Sequence, residues 1–489
     1  MATPIPTNRA RFTIDEILRA THGTLVRRAV SPREPVGIVT DSRAVAPGNV
    51  FVAIKGESHD GHAFVSAAAK REPAVIVVER GRAAGCDDAC WVVEVDDTLV
   101  ALGDLARLHL EAWRVFGAQK KVLAITGSAG KTTTKELAAA LFRAIGPTHH
   151  TAGNLNNRVG VPFVVLGLQN EHRFAVLEMG MSLPGELDAI TSVARPDVSI
   201  VTNVGLAHSE GVGGPDGVER EKGAVYRALE PSGVAIVNAD DQRVMRASKT
   251  TRAETVITFG LSGAAAYRVV SREPHAESGS KITLVTPARS LTVHLPLPGE
   301  AAAIDFAAAL AAQEDVSGGV LLSPEAIERA LATVRLEGRA TLTHLGQDIV
   351  VLDDTYNANP ASMRVALSTL SEIAGARRKV AVLGEMKELG THAEPEHLAL
   401  GDVLAASGVT LAIGCGGLIS RSLERAAQLG VTCVMAASTE DAAREATARV
   451  LPSDAVLVKG SRSVGAERVV AALIETWPFP ENSATSGSA

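Results

Sequence analysis

Residues 122–134, VLAITGSAGKTTT, limit what this chain can be more than any other stretch does. Val122, Leu123, Ala124, Ile125 and Thr126 make an apolar, partly β-branched run, which predicts a buried strand. Gly127, Ser128, Ala129 and Gly130 break it. Lys131, Thr132 and Thr133 then open a helical pattern, carried by Leu137, Ala138, Leu141 and Phe142 to a stop at Gly146-Pro147. Strand, glycine turn and helix together form a phosphate cradle. The glycines let backbone N–H groups face an anion, and the helix start adds its positive end. In such a cradle Lys131 reaches the β- and γ-phosphates, and the Thr132 hydroxyl sits on Mg2+. The full G-x-x-x-x-G-K-[ST] pattern is not met, because Ile125 holds its first glycine position. What stands here is the shorter T-G-x-x-G-K-T. An ATP-type ligand is expected on Gly127, Ser128, Ala129, Gly130, Lys131, Thr132 and Thr133.

A chain of 489 residues has room for about three domains. Its net charge of −7 argues against a dedicated nucleic-acid binder, so phosphate binding must be local to a loop. With aromatics at 3%, the cores must be aliphatic. Cys86, Cys90, Cys415 and Cys433 lack metal-site spacing and read as reduced thiols. The N-terminus has no apolar signal segment, and no stretch is apolar enough to span a membrane. The expectation is a cytoplasmic monomer.

The fold class expected is α/β with three domains. Residues 1–98 form a small N-terminal α/β domain, with strands near 36–39, 50–54, 75–78 and 91–95. Thr13 and Glu16 stand as a helix capping box. The polar loops carrying Ser42, Arg43, Asp60, Gly61 and His62 lie at strand ends, where α/β domains bind ligands and where ordinary turns also occur. A helix over about 98–116 leads into a central P-loop domain, 99–316, with a mostly parallel sheet. There Asn156 and Asn157 lie in a polar connection. Glu178 ends a strand, placed either for Mg2+ or as a helix N-cap acid. His208 also follows a strand. Lys222 falls in the charged helical run Glu219-Arg220-Glu221-Lys222 and reads from composition as a solvated surface lysine. Alternating runs at 267–270, 282–285 and 291–295 predict an antiparallel appendage. From 317 to 478 strands and helices alternate again, which predicts a Rossmann-like C-terminal domain, with a disordered tail over 479–489.

Six ordered motifs, TDSRAVAPGNVFVAIKGESHDGHAF, TGSAGKTTTKE, GNLNNRVGVP, DDTYNANPASM, LGEMKELG and KGSRSVGAE, make the chain resemble the Mur ligases of bacterial cell-wall synthesis. Within that family the combination is similar to the member that joins D-alanyl-D-alanine to UDP-MurNAc-tripeptide. The resemblance implies that ATP phosphorylates the tripeptide carboxylate, and that the dipeptide amine then attacks the acyl phosphate. It implies Lys131 on the phosphates and Thr132 with Glu178 on a first Mg2+. It implies His208 and Lys222 at a second Mg2+, with Lys222 carbamylated to N6-carboxylysine. It also implies Arg339 on the γ-phosphate, Asp354 and Asn357 beside the nucleotide, Asn156 and Asn157 in the family's Asn-rich loop, and Ser42, Arg43, Asp60, Gly61 and His62 at the UDP-sugar. One departure concerns the base: where the family shows G-x-H-N and then N-A-L-A-A, this chain has Ala301-Ala302 and Asp305. Two rivals remain, a folylpolyglutamate-type ligase, which lacks the TDSR-to-DGHAF domain, and a regulatory P-loop NTPase.

Overall fold

The computed structural model describes residues 3–479 except 57–58, 87–89, 118, 207–208 and 276–277. The expected tail therefore lies, beyond Phe479, outside the described residues. The chain builds three sheets. The first holds β1 (Thr24–Arg27), β2 (Ile38–Val39), β3 (Val50–Val52), β4 (Val75–Glu79) and β5 (Trp91–Val95), ordered β1-β5-β4-β3-β2. Only β1 runs antiparallel to its neighbour.

The second sheet holds β6 (Lys121–Thr126), β7 (Thr148–His150), β8 (Phe174–Glu178), β9 (Val198–Val201), β10 (Val234–Asn238), β11 (Thr255–Gly260), β12 (Tyr267–Pro274), β13 (Ser280–Val285) and β14 (Ser290–Leu295). Its order is β14-β13-β12-β11-β10-β9-β6-β8-β7. The phosphate-loop strand β6 lies between β9 and β8, parallel to both. These strands are buried on both faces, which is why they read as unbroken apolar runs. The predicted appendage is β12–β14, antiparallel within itself. Its first strand pairs parallel to β11 through Phe259 and Tyr267, so it extends the main sheet.

The third sheet holds β15 (Thr341–His344), β16 (Val350–Asp354), β17 (Lys379–Gly384), β18 (Leu411–Cys415), β19 (Thr432–Ala436) and β20 (Ala455–Lys459), ordered β15-β16-β20-β17-β18-β19. All its pairs except β15–β16 are parallel. Alternate residues feed opposite cores: Leu352, Ala381 and Leu383 face one way, Val351, Val382 and Ile413 the other.

Two helices decide how these bodies join. Helix Thr98–Val115 is capped by Asp97, whose Oδ1 accepts from the N–H groups of Leu99 and Val100 at 2.7 and 3.0 Å. Its Leu102, Leu105 and Leu110 share one core with Val75 of the first sheet and Val122 of the second. The first two bodies are thus cemented along this helix. Helix Pro324–Leu331, capped by Ser323 as its sequence suggests, packs Ile327 and Leu331 into the core of the second sheet beside Leu137 and Leu141. The break drawn at 316/317 from sequence thus falls ahead of a helix that packs with the central body. The third body meets the second through a bidentate ion pair, Arg272 to Glu372 at 2.7 and 2.5 Å, and through Asn359 Nδ2 donating to Ser128 O at 3.2 Å.

Candidate active site

The loop after β6 is held from behind by the end of β9. Ser128 N–H donates to Asn203 O at 3.0 Å, and Ala129 N–H to Asn203 Oδ1 at 2.9 Å. Gly205 N–H donates to Ser128 Oγ at 2.8 Å. These bonds occupy the Ser128 and Ala129 amides, so the two residues shape the cradle. Anion-facing donors remain at the helix start. The first intrahelical bond there is Thr134 N–H to Gly130 O at 2.9 Å, so the amides of Lys131, Thr132 and Thr133 precede it. Gly130 must be glycine: its φ is +81°, and a Cβ there would come within 2.6 Å of Asp305 Oδ1. A side chain on Gly127 would overlap Thr202 Oγ1.

Thr132 and Glu178, distant in sequence, meet here. Thr132 Oγ1 donates to Glu178 Oε2, and Asn156 Nδ2 donates to Glu178 Oε1, both at 2.7 Å. Glu178 is 1% exposed at the end of β8, and it caps no helix. Lys131 Nζ donates to Gly127 O at 2.8 Å. Burial lowers the Lys131 pKa, Glu178 opposes that fall, and the Arg339 guanidinium adds to it. Arg339, brought from the third body, therefore shares this field.

Lys222 corrects the reading from composition. It is 2% exposed, and its ammonium has no ion pair among the described residues. Burial, and then the charge of Lys131, push its pKa well below the usual lysine range. Helix Pro215–Lys222 turns Glu219 outward to Arg243 and Arg246, and its last turn points Lys222 inward. His208 lies outside the described residues.

The remaining expected nucleotide residues divide by role. Asn157 Oδ1 accepts from Val159 and Gly160 N–H at 3.2 and 2.8 Å, which starts the next helix. Asp354 pairs with buried Lys459 at 2.5 Å and accepts Ala340 N–H at 3.1 Å, fixing the backbone beside Arg339. Asn357 holds Lys459 through its carbonyl at 2.8 Å, while its own amide oxygen accepts Ala358 N–H. Sequence reasoning passed over Asn203, Asn359, Lys459 and Tyr356. The signal available was position, since Asn203, Lys459 and Tyr356 lie at or just past a strand end and Asn359 caps the helix that starts at Pro360.

In the first body Ser42 and Arg43 occupy the turn after β2, where Arg43 pairs with Asp41 at 2.8 Å and holds that carboxyl below its usual range. His62 Nδ1 meets Asp60 Oδ1 at 2.7 Å, and its Nε2 accepts Glu79 N–H at 3.0 Å. Arg82, absent from the sequence-based set, holds the other Asp60 oxygen at 2.8 Å. A Cβ on Gly61 would meet Ile54 backbone at 2.8 Å, so glycine permits the close crossing. Asp60 and His62 thus brace the loop.

The chemistry of the donors suits magnesium. A hydroxyl and a carboxylate are hard oxygen ligands, and Mg2+ keeps waters and takes one or two carboxylates beside phosphate. No group of three His, Cys, Asp or Glu side chains converges among the described residues, and such a site does not need one.

Three family models match: the Mur ligase family catalytic domain over residues 35–109, the Mur ligase middle domain over 125–313, and the Mur ligase glutamate ligase domain over 338–462. The UDP-N-acetylmuramoyl-tripeptide--D-alanyl-D-alanine ligase of Escherichia coli is 36% identical over 90% of this chain and 93% of its own. The Bacillus subtilis ligase of the same name is 30% identical over 95% of this chain and 98% of its own. Among solved structures, MurF from Acinetobacter baumannii is similar at TM-score 0.83 and 33% identity, covering 97% of this chain and all (100%) of that one. The Thermotoga maritima MurF ligase in complex with ADP is similar at TM-score 0.78 and 26% identity, covering 95% of this chain and 99% of its own.

Proposed function

The chain belongs to the Mur ligase family, and from that premise we propose that it joins D-alanyl-D-alanine to UDP-N-acetylmuramoyl-tripeptide, converting ATP to ADP and phosphate in peptidoglycan precursor synthesis. The observation that carries this reading is the gathering of Lys131, Lys222 and Arg339 around one phosphate loop, with Glu178 bonded to Thr132. The Lys131 and Arg339 cations exceed the one Glu178 carboxylate in that field, and the surplus calls for an anionic ligand.

In the reaction a tripeptide carboxylate oxygen bonds to the γ-phosphorus, and the bond to ADP breaks. The dipeptide amine then bonds to the acyl carbon, gives up its proton, and phosphate leaves. Lys131 neutralises charge on the transferring phosphoryl oxygens, and Arg339 approaches it from the third body. The helix-start amides hold the nucleotide phosphates. Thr132 and Glu178 would hold Mg2+, with Asn156 fixing the carboxylate. That ion would supply further charge neutralisation. Lys222, made a poor base by burial, can react as the neutral amine with CO2 to give a carbamate and a proton. The new anion would offset Lys131 and, with His208, hold a second Mg2+.

Ser42, Arg43, Asp60 and His62 are assigned to the loops around the UDP-sugar. Domain limits of 1–98, 99–316 and 317–478, with helix Pro324–Leu331 packed back on the central body, a cytoplasmic location and a monomeric state belong to the same proposal. No helix among the described residues is long and apolar enough to cross a membrane. A folylpolyglutamate synthase of Mycobacterium tuberculosis shares the fold at TM-score 0.60 and 19% identity over 77% of this chain. ADP release with UDP-MurNAc-tripeptide, with and without D-Ala-D-Ala, tests the reading. Release that needs neither substrate would point to a regulatory NTPase instead.

A further inference from the structure

The reaction so far leaves Arg462 without a task. It stands just past the end of β20, and Tyr356 just past the end of β16. These strands are neighbours, with Asp354 opposite Lys459. Their pairing brings the Arg462 guanidinium to 5.5 Å from the Tyr356 ring, while the Arg339 guanidinium lies 3.7 Å from the same ring. Two like charges on one ring repel, and the protein does little to offset them. Arg339 has no ion pair among the described residues. The carboxylate beside Arg462, on Glu467, is 3.7 Å away, and the two side chains are 47% and 46% exposed, so that contact is weak. Other cations at these strand ends are satisfied: Lys459 by Asp354 at 2.5 Å, Lys387 by Glu385 at 2.7 Å.

The backbone carrying Arg462 is fixed. Ser461 is buried, its Oγ accepts Lys387 N–H at 2.9 Å, and its own N–H donates to Glu385 O at 3.3 Å. The Tyr356 ring, within cation–π range at 5.5 Å, limits where the guanidinium can turn. A restrained planar fork at the mouth of a site matches a carboxylate through two parallel hydrogen bonds.

The reaction brings three anionic groups together. The γ-phosphate and the tripeptide carboxylate meet at Lys131. The third belongs to the dipeptide. Its amine must be neutral to attack, so its carboxylate is its one charged handle, about 7 Å from the nitrogen in an extended chain. A second guanidinium one ring away from Arg339 is placed for such a group. Resting on the ligase reading above, we propose that Arg462, steadied by Tyr356, binds the C-terminal carboxylate of D-alanyl-D-alanine and selects acyl acceptors that carry a free carboxylate.

The test compares D-Ala-D-Ala with its C-terminal amide as acceptors, for wild type, Arg462→Ala and Arg462→Lys, by ADP release. Wild type is expected to prefer the acid by about tenfold to a hundredfold in kcat/KM, the worth of one charged hydrogen-bond pair. Arg462→Ala should lose that preference, through a higher KM for the acid, with the KM values for ATP and UDP-MurNAc-tripeptide unchanged. Arg462→Lys should keep part of it. Because Arg462 is exposed, the variants should melt with wild type. If Arg462→Ala still prefers the acid, or raises the KM for ATP instead, the proposal is wrong. Equal use of acid and amide by wild type also overturns it. Absence of ligation by wild type with either acceptor is a different result, the failure of the ligase reading itself.

Discussion

Lys131 lies close enough to the buried Lys222 for its charge to add to the fall that burial causes in the Lys222 pKa. They should differ sharply under mutation. On the proposed mechanism Lys131 is the cation on the transferring phosphate, so Lys131→Met should lower turnover by on the order of 10³ while leaving the melting temperature near wild type. ADP release with both substrates measures it, and a folded variant within tenfold of wild type would remove Lys131 from the chemistry. Lys222 is expected to act as an anion once carboxylated. In 13C-bicarbonate the wild type should show a carbamate signal by NMR that Lys222→Ala lacks, and turnover should fall when CO2 is stripped. Equal spectra for the two proteins would return Lys222 to an unmodified buried lysine. Composition pointed the wrong way here because Glu219, Arg220, Glu221 and Lys222 are all charged. With no apolar stripe, periodicity cannot say which side of the helix faces the core.

At the scale of elements, edge strand β7 places His149 and His150 beside the phosphate-loop helix. His149 Nε2 donates to Val164 O at 2.9 Å, and its ring lies 5.1 Å from His172. Burial brings the His149 pKa from 6.5 down to about 4, with the charge of His172 adding to the fall. Between those values the unfolded chain binds a proton that the folded chain refuses. Stability therefore falls as pH drops from 6.5 towards 4, and His149 contributes about 3 kcal/mol of that loss. Urea titrations at pH 7 and pH 5 should show a smaller drop for His149→Gln than for wild type. An identical drop would mean that His149 titrates normally. β7 was itself illegible in sequence, as were β1 and β15: Thr148-His149-His150, Thr24-Leu25-Val26-Arg27 and Thr341-Leu342-Thr343-His344 are short edge strands with no apolar alternation. The central strands were legible because burial on both faces demands unbroken apolar runs such as Val122 to Ile125. Of the site, the contiguous loop could be read directly, and Glu178 as one of two alternatives, of which its bond to Thr132 excludes the helix cap. The roles of Asn203, Asn157 and Asn357 could not, since an amide bonded to a neighbouring backbone and one turned to a ligand look alike in sequence.

The whole molecule divides unequally. One continuous core runs from Ile38 and Val75 through helix Thr98–Val115 to Val122 and Leu177. The third body keeps its cores to itself, apart from a contact with Leu206. Unfolding should therefore occur in two calorimetric transitions, with the first and second bodies melting together and the third separately. The two are joined by Arg272 and Glu372, 18% and 13% exposed, with Glu372 also accepting Gly299 N–H at 3.4 Å. Removing one partner leaves the other charge half-buried, at a cost of about 2 kcal/mol after allowing for solvent. Glu372→Ala should then widen the gap between the two transitions and raise the radius of gyration measured by X-ray scattering. It should also raise the KM for ATP, because Arg339 reaches the phosphate loop only while the bodies are in contact. Neither Lys131 nor Thr132 touches this pair, so a closed molecule with an altered nucleotide KM would locate the effect elsewhere. An N-terminal body that melts alone, ahead of the second, would mean that helix Thr98–Val115 is a hinge and the shared core does not act as one unit.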